Sequence, residues 1–127
     1  MKTGDPVPAV EARRGPWARL IADTIGPLWQ GDYRVTDARD LEQPLPAAAE
    51  LAPTGDLAAV VITGSSANVP NREAWMLRME AWLREIVPTR VPIFGICFGH
   101  QILAQALGGE IVKNPRGREI GTQKVTL

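Results

Sequence analysis

Residues 57–64 (LAAVVITG) and 91–96 (VPIFGI) constrain the fold more than any other part of the sequence. Both are continuous apolar runs rich in Val and Ile, without the polar alternation of a half-solvated strand. Strands of that composition are expected to be covered on both faces. Between them, after the loop GSSANVPN, Trp75, Met79, Trp82, Leu83 and Ile86 recur at helical spacing, with Asn71 as the expected cap and Pro88 as the stop. Strand, helix and strand in that order imply parallel pairing through a crossover. The expected class is therefore α/β, with an open, mostly parallel, doubly wound sheet.

The remaining segments fit that scheme. Across residues 10–28, Trp17, Leu20, Ile21, Ile25 and Leu28 form one face of an expected helix, weakened in its last turn by Gly26-Pro27. Residues 33–38 (YRVTDA) read as a short strand, followed by a proline-rich connection with one helical turn. Residues 98–107 form a helix that closes at Gly108-Gly109. Residues 110–112 and 123–127 read as two further short strands around the polar loop KNPRGREIG. Trp17, Trp75 and Trp82 are read as core, and the charges of REAWMLRMEAWLRE as a solvated helix face. Lys113, Arg116 and Arg118 belong to a solvated turn shaped by Pro115 and Gly117.

A doubly wound sheet normally opens on a buried strand, yet only Met1 and Lys2 precede TGDPVP, and Leu127 falls inside an apparent strand. Residues 1–127 are thus expected to form one domain, incomplete at both ends. An empty central slot would expose unpaired strand edges, and the chain would be poorly stable or self-associate.

Fourteen basic residues balance fourteen acidic ones, so no polyanion partner such as nucleic acid is expected. No apolar run approaches the roughly 18 residues that cross a bilayer, and no membrane partner is expected. The N-terminus lacks the apolar core of a signal peptide. A single cysteine points to a reducing compartment, and a cytoplasmic location is expected. Neither a metal nor a cofactor is expected.

Chemistry concentrates in residues 95–101, GICFGHQ, which hold the only cysteine and the only histidine. Gly95-Ile96-Cys97-Phe98-Gly99 has the form G-x-C-x-G between an apolar strand and an amphipathic helix, the setting of a nucleophile elbow. The turn is tight, so Gly95 and Gly99 must be small for strand and helix to approach. A sulfur at a helix N-terminus is favoured as thiolate by the unpaired N–H groups there. The Phe98 backbone N–H would point into the same space as an oxyanion donor. The bland alternative is that Cys97 is a small buried hydrophobe. His100 lies three residues on, but down the side of the helix rather than over the nucleophile. A scaffold role with a structural hydrogen bond is the expectation for it.

The string VPIFGICFGHQILAQALGG, with VVITGSS upstream and NPRGREIG downstream, resembles the class I (triad) glutamine amidotransferases, and among them the GMP synthase-like group. The resemblance implies a flavodoxin-like sheet and a small-molecule substrate, glutamine or another γ-glutamyl compound. It implies that Cys97 is the nucleophile, and that the backbone N–H groups of Phe98 and Ser65, in the loop Gly64-Ser65-Ser66, form the oxyanion hole. That loop stands where the family usually has Gly-Gly-Pro, and a serine adopts positive φ less readily than glycine. Gln101 is implied to help hold substrate, while His100 is not the base. The family's base and carboxylate form a later H-x-E motif that these 127 residues do not contain.

The resulting expectation is hydrolysis of the glutamine side-chain amide through a Cys97 glutamyl thioester, releasing ammonia, in a chain inactive by itself. Hydrolysis of a γ-glutamyl peptide or related compound is one alternative. A non-catalytic binding or regulatory module is another, and a different elbow-cysteine family is a third. A synthetase partner is left open.

Overall fold

A computed structural model describes residues 1–51 and 55–117. The elements run α1 (Pro8–Arg14), α2 (Trp17–Ile25), β1 (Val60–Ile62), α3 (Ala74–Ile86), β2 (Ile93–Gly95) and α4 (Phe98–Ala106), with short 3₁₀ turns between some of them. The architecture is mixed α/β. β1 and β2 pair in parallel, Val60 opposite Ile93, Val61 opposite Phe94 and Ile62 opposite Gly95. The predicted strand–helix–strand unit is thus present, with α3 as the connection, although each strand is shorter than its apolar run.

One face of this small sheet carries the core. Val60 and Ile62 are buried against α3 and α4, where Met76, Met79, Leu83, Ile86, Phe98 and Ile102 are almost fully enclosed. The other face is not covered as expected: Phe94 is 65% exposed and Val61 only half-buried. Two covered faces were inferred from apolar composition, but composition cannot say which element would cover each face.

The N-terminus corrects the expectation of an empty central slot. Residues 1–3 lie between β1 and residues 36–38 and pair with both. Met1 donates to the Val61 carbonyl at 2.7 Å and its own carbonyl accepts from Thr63 N–H at 3.0 Å. On the other side Lys2 N–H donates to Thr36 O, and Ala38 N–H to Lys2 O, both at 2.8 Å. Thr3 is fully buried and donates its N–H to Thr63 Oγ1 at 2.9 Å and its hydroxyl to Thr63 O at 2.8 Å. A cavity of about 300 Å³, lined by Met1, Lys2, Val35, Val61, Ala59 and Ile25 among others, adjoins this segment. The expected strand at 33–38 is reduced to a single bridge, Lys2 to Asp37.

Other expectations shift at their boundaries. The single helix over 10–28 is two helices, broken where Gly15 takes φ 81 and Pro16 lacks an N–H to continue the ladder. Leu28 is 89% exposed rather than part of an apolar face. Asn71 does not cap α3. It ends a 3₁₀ turn, Arg72 reverses the chain at φ 53, and Glu73 is the first residue outside the helix. α3 stops at Ile86, followed by a turn containing Pro88. The face read as solvated also holds an exception: Glu80 is 1% exposed, paired with Arg72 and with Arg84 at 3.0 Å. α4 closes as expected, with Gly108 at φ 94 and Gly109 N–H on the Ala104 carbonyl.

Residues 110–112 are not a strand; Ile111 N–H instead donates to Gln105 Oε1 at 3.1 Å. The turn at Pro115 and Gly117 is present, with Gly117 at φ 90. The expected strand at 123–127, with Arg118 and Glu119, lies outside the described residues. Among those described, no helix is long and apolar enough to cross a membrane.

Candidate active site

The elbow is built as its glycines demand. Cys97 stands between β2 and α4 at φ 51 and ψ −109, a conformation a residue with a side chain rarely holds. A Cβ on Gly95 would lie 2.5 Å from the Gly99 carbonyl carbon and the His100 nitrogen. One on Gly99 would lie 2.5 Å from the Ile62 carbonyl oxygen. Both glycines are therefore required by close approach, one to α4 and one to β1. Below them Phe98 is 1% exposed and its ring packs 5.3 Å from Trp75, while Trp75 Nε1 donates to Glu73 at 2.8 Å. The start of α4 is thus wedged between strand and α3, and Cys97 itself is exposed. The buried-hydrophobe reading of Cys97 fails on that point.

Most N–H groups at the start of α4 are engaged. Gly99 N–H is taken by Ile96 O, and those of His100 and Gln101 by Cys97 O. Phe98 N–H donates to no acceptor among the described residues, and neither does Ser65 N–H. Gly64 brings its loop against Cys97, its Cβ position only 3.5 Å from Cys97 Cβ. Ser65 is not at positive φ, so replacing glycine there strains nothing. Its hydroxyl instead accepts Ala67 N–H at 3.1 Å, which stiffens the loop from within.

Cys97, Gly64, Ser65 and Ser66 open on one cleft of about 620 Å³. His100 and Gln101 do not line it; His100 is exposed and Gln101 half-buried on α4. The His100 ring makes no hydrogen bond among the described residues, so the structural bond expected for it is not found. Among those residues no group of three or more His, Cys, Asp or Glu is placed to hold a metal ion.

Two contributors were not legible in the sequence. The N-terminal stub crosses the Gly64–Ser65–Ser66 loop so closely that a Cβ on Gly4 would lie 2.8 Å from Ser65 Cα. Asp5 follows it at the cleft, held below the usual carboxylate range by hydrogen bonds from Lys2 and Arg39, each at 2.7 Å. Trp17, read as core, lines the cleft and is not fully buried. Only the small residues of TGDP hinted at such an approach, and nothing in the sequence said what lay opposite them.

A parallel strand–helix–strand unit with an exposed, strained cysteine at the turn into α4 is the arrangement that nucleophile-elbow folds share. The chain belongs to the class-I glutamine amidotransferase family, whose family model matches residues 40–127. It is 35% identical over 71 residues to a glutamine amidotransferase-like protein of Schizosaccharomyces pombe, covering 54% of this chain and 29% of that protein. It is 30% identical over 67 residues to gamma-glutamyl peptidase 5 of Arabidopsis thaliana, covering 53% and 27%. It is 33% identical over 72 residues to the glutamine-hydrolysing GMP synthase of Borreliella burgdorferi, covering 57% and 13%. The chain spans less than a third of the length of these relatives. No solved structure matches it significantly.

Proposed function

We propose that this chain carries the nucleophile half of a glutaminase site. The Cys97 thiolate attacks the side-chain amide carbon of glutamine, forming a C–S bond. The N–H groups of Phe98 and Ser65 take the developing oxyanion. The C–N bond then breaks and nitrogen leaves as ammonia, with a proton from a general acid. Water hydrolyses the glutamyl thioester to glutamate and restores the thiol. Gln101 is read as a substrate contact from the family resemblance alone, since it does not line the cleft.

The observation that carries this reading is the strained, exposed Cys97 with two unengaged N–H groups at its side. The one histidine of these 127 residues does not line the cleft, which does not support it as the proton-transferring base. General acid–base catalysis commonly contributes about 100- to 10,000-fold, so the chain by itself is expected to turn over glutamine negligibly. The likeness to a gamma-glutamyl peptidase supports a second substrate class, γ-glutamyl peptides, for the same chemistry.

The test is alkylation by a glutamine-analogue chloroketone. Cys97 is expected to react faster than glutathione at the same pH, and excess glutamine should slow the reaction. A rate no greater than glutathione's, unaffected by glutamine, overturns the reading.

A further inference from the structure

The loop that carries Ser65 is held from outside by the first residues of the chain. Thr3 N–H donates to Thr63 Oγ1 at 2.9 Å, and the Thr3 hydroxyl to Thr63 O at 2.8 Å. The Thr63 hydroxyl in turn donates to the Gly64 carbonyl at 3.2 Å, with the Thr3 hydroxyl 3.3 Å from the same oxygen. Both threonines are almost fully enclosed. Gly4 then rests on the peptide that follows: a Cβ there would stand 2.9 Å from Gly64 O and 2.8 Å from Ser65 Cα. Past it, Asp5 is anchored by Lys2 and by Arg39, each at 2.7 Å, and the Arg39 guanidinium also grips Asp37 at 2.7 and 3.0 Å.

The Gly64 carbonyl and the Ser65 N–H belong to one trans peptide. Such a unit is planar and directs its C=O and N–H in opposite senses. Holding the oxygen against the N-terminal segment therefore turns the N–H away from it. Gly64 and Ser65 line the cleft, and Gly64 lies against Cys97. The loop's own side chain does not set this orientation, because the Ser65 hydroxyl accepts from Ala67 N–H instead. Turning the peptide over would deprive the buried Thr63 hydroxyl of its acceptor, which is unfavourable. We propose that Thr3 and Thr63 are positioning residues for the reaction, aiming the Ser65 N–H at the oxyanion by anchoring the carbonyl of its own peptide. Asp5 and Arg39 clamp the N-terminal segment that makes this possible.

This inference rests on Ser65 N–H being an oxyanion donor, and the test separates the two. The probe is 5-oxopentanoate, an aldehyde with the carbon chain of glutamine. The Cys97 thiol adds to it with no leaving group: a C–S bond forms, and the carbonyl oxygen takes the charge or the thiol proton beside the N–H donors. Iodoacetamide alkylates the same sulfur by displacing iodide and makes no oxyanion. The aldehyde's dissociation constant is read from its protection of Cys97 against iodoacetamide in the 127-residue chain. Thr3→Val with Thr63→Val keeps the shape and removes both hydroxyls. That pair should weaken aldehyde binding about tenfold more than it slows alkylation, less than the loss of a whole oxyanion donor costs. Thr3→Ser with Thr63→Ser keeps the hydroxyls and should bind the aldehyde as the unchanged chain does. Equal losses in the two pairs, or none in the valine pair, overturn the positioning role. If circular dichroism shows either pair unfolded, Arg39→Met is read in the same way. Arg39 does not line the cleft; a loss of about threefold is expected, the scale of an exposed ion pair, and no loss overturns the inference. An unchanged chain that binds the aldehyde no better than glutathione does overturns the oxyanion donors themselves, and the positioning role with them.

Discussion

At Cys97 the backbone holds φ 51, a conformation that costs on the order of 1–3 kcal/mol and persists only where neighbours enforce it. The enforcement comes from Gly95 and Gly99, whose missing Cβ atoms let α4 touch β1 and β2. Gly99→Ala would put a carbon 2.5 Å from backbone, not from a flexible side chain. The expected result is a loss of about 3 kcal/mol, at the upper end for overpacking, read as a lowered urea midpoint, with slower alkylation of Cys97. Gly64→Ala meets Cys97 Cβ at 3.5 Å, an ordinary contact at ordinary φ. Its stability should change by no more than about 0.5 kcal/mol. Equal costs for the two changes would mean that close approach is not what shapes the elbow.

Among the elements, α3 is held by charge as well as by apolar burial. The Glu80 carboxylate is enclosed, while its partners Arg72 and Arg84 are 44% and 55% exposed. Arg84 also donates to the Ala106 carbonyl at 3.0 Å, tying α3 to the end of α4. Removing the acid leaves two solvated arginines; removing both arginines leaves a buried, uncompensated anion. The double change Arg72→Met with Arg84→Met should therefore cost more than Glu80→Gln, about 3–5 kcal/mol against 1–2, measured by denaturant unfolding. The reverse order would show that the carboxylate is not in fact desolvated. α3 also fixes the loop before it in space: the Arg78 guanidinium donates to the carbonyls of Ala38, Asp40, Leu41 and Gln43 at 2.7–3.1 Å.

For the whole molecule the buried N-terminus sets a pH dependence. Burial lowers the Met1 amine from 8.0 to about 6. A basic group with a depressed folded value binds fewer protons folded than unfolded between those two values. Stability should therefore rise as pH goes from 6 to 8, by at most about 2–3 kcal/mol, and be insensitive to this amine outside that window. N-terminal acetylation should abolish the slope in thermal melts from pH 5.5 to 8.5; a slope that survives it would belong to another group. Asp37 acts in the opposite range. Hydrogen bonds from Arg39 hold its carboxyl well below the usual value, so its contribution is present above about pH 4 and fades in stronger acid.

The legible parts were those in which one residue's chemistry suffices. GICFGHQ fixed the turn, the exposed thiol and the need for glycine on both sides of it, because only small residues allow strand and helix to touch. The apolar runs fixed two parallel strands and the helix between them, because a buried backbone must pair and an apolar stripe must be covered. Whatever depended on a partner distant in sequence was decided by tertiary structure. Residues 33–38 form a single bridge rather than a strand. Trp17 lines the cleft, and Glu80 enters the core between two arginines. Residues 1–3 fill one end of a slot that the sequence left empty. Local sequence determined which groups had to be satisfied, and only the fold decided what satisfied them: the strand pairing of residues 1–3 and the Trp82 hydrogen bond are made with residues some 35 to 60 positions away, while Glu80 finds its arginines within its own neighbourhood.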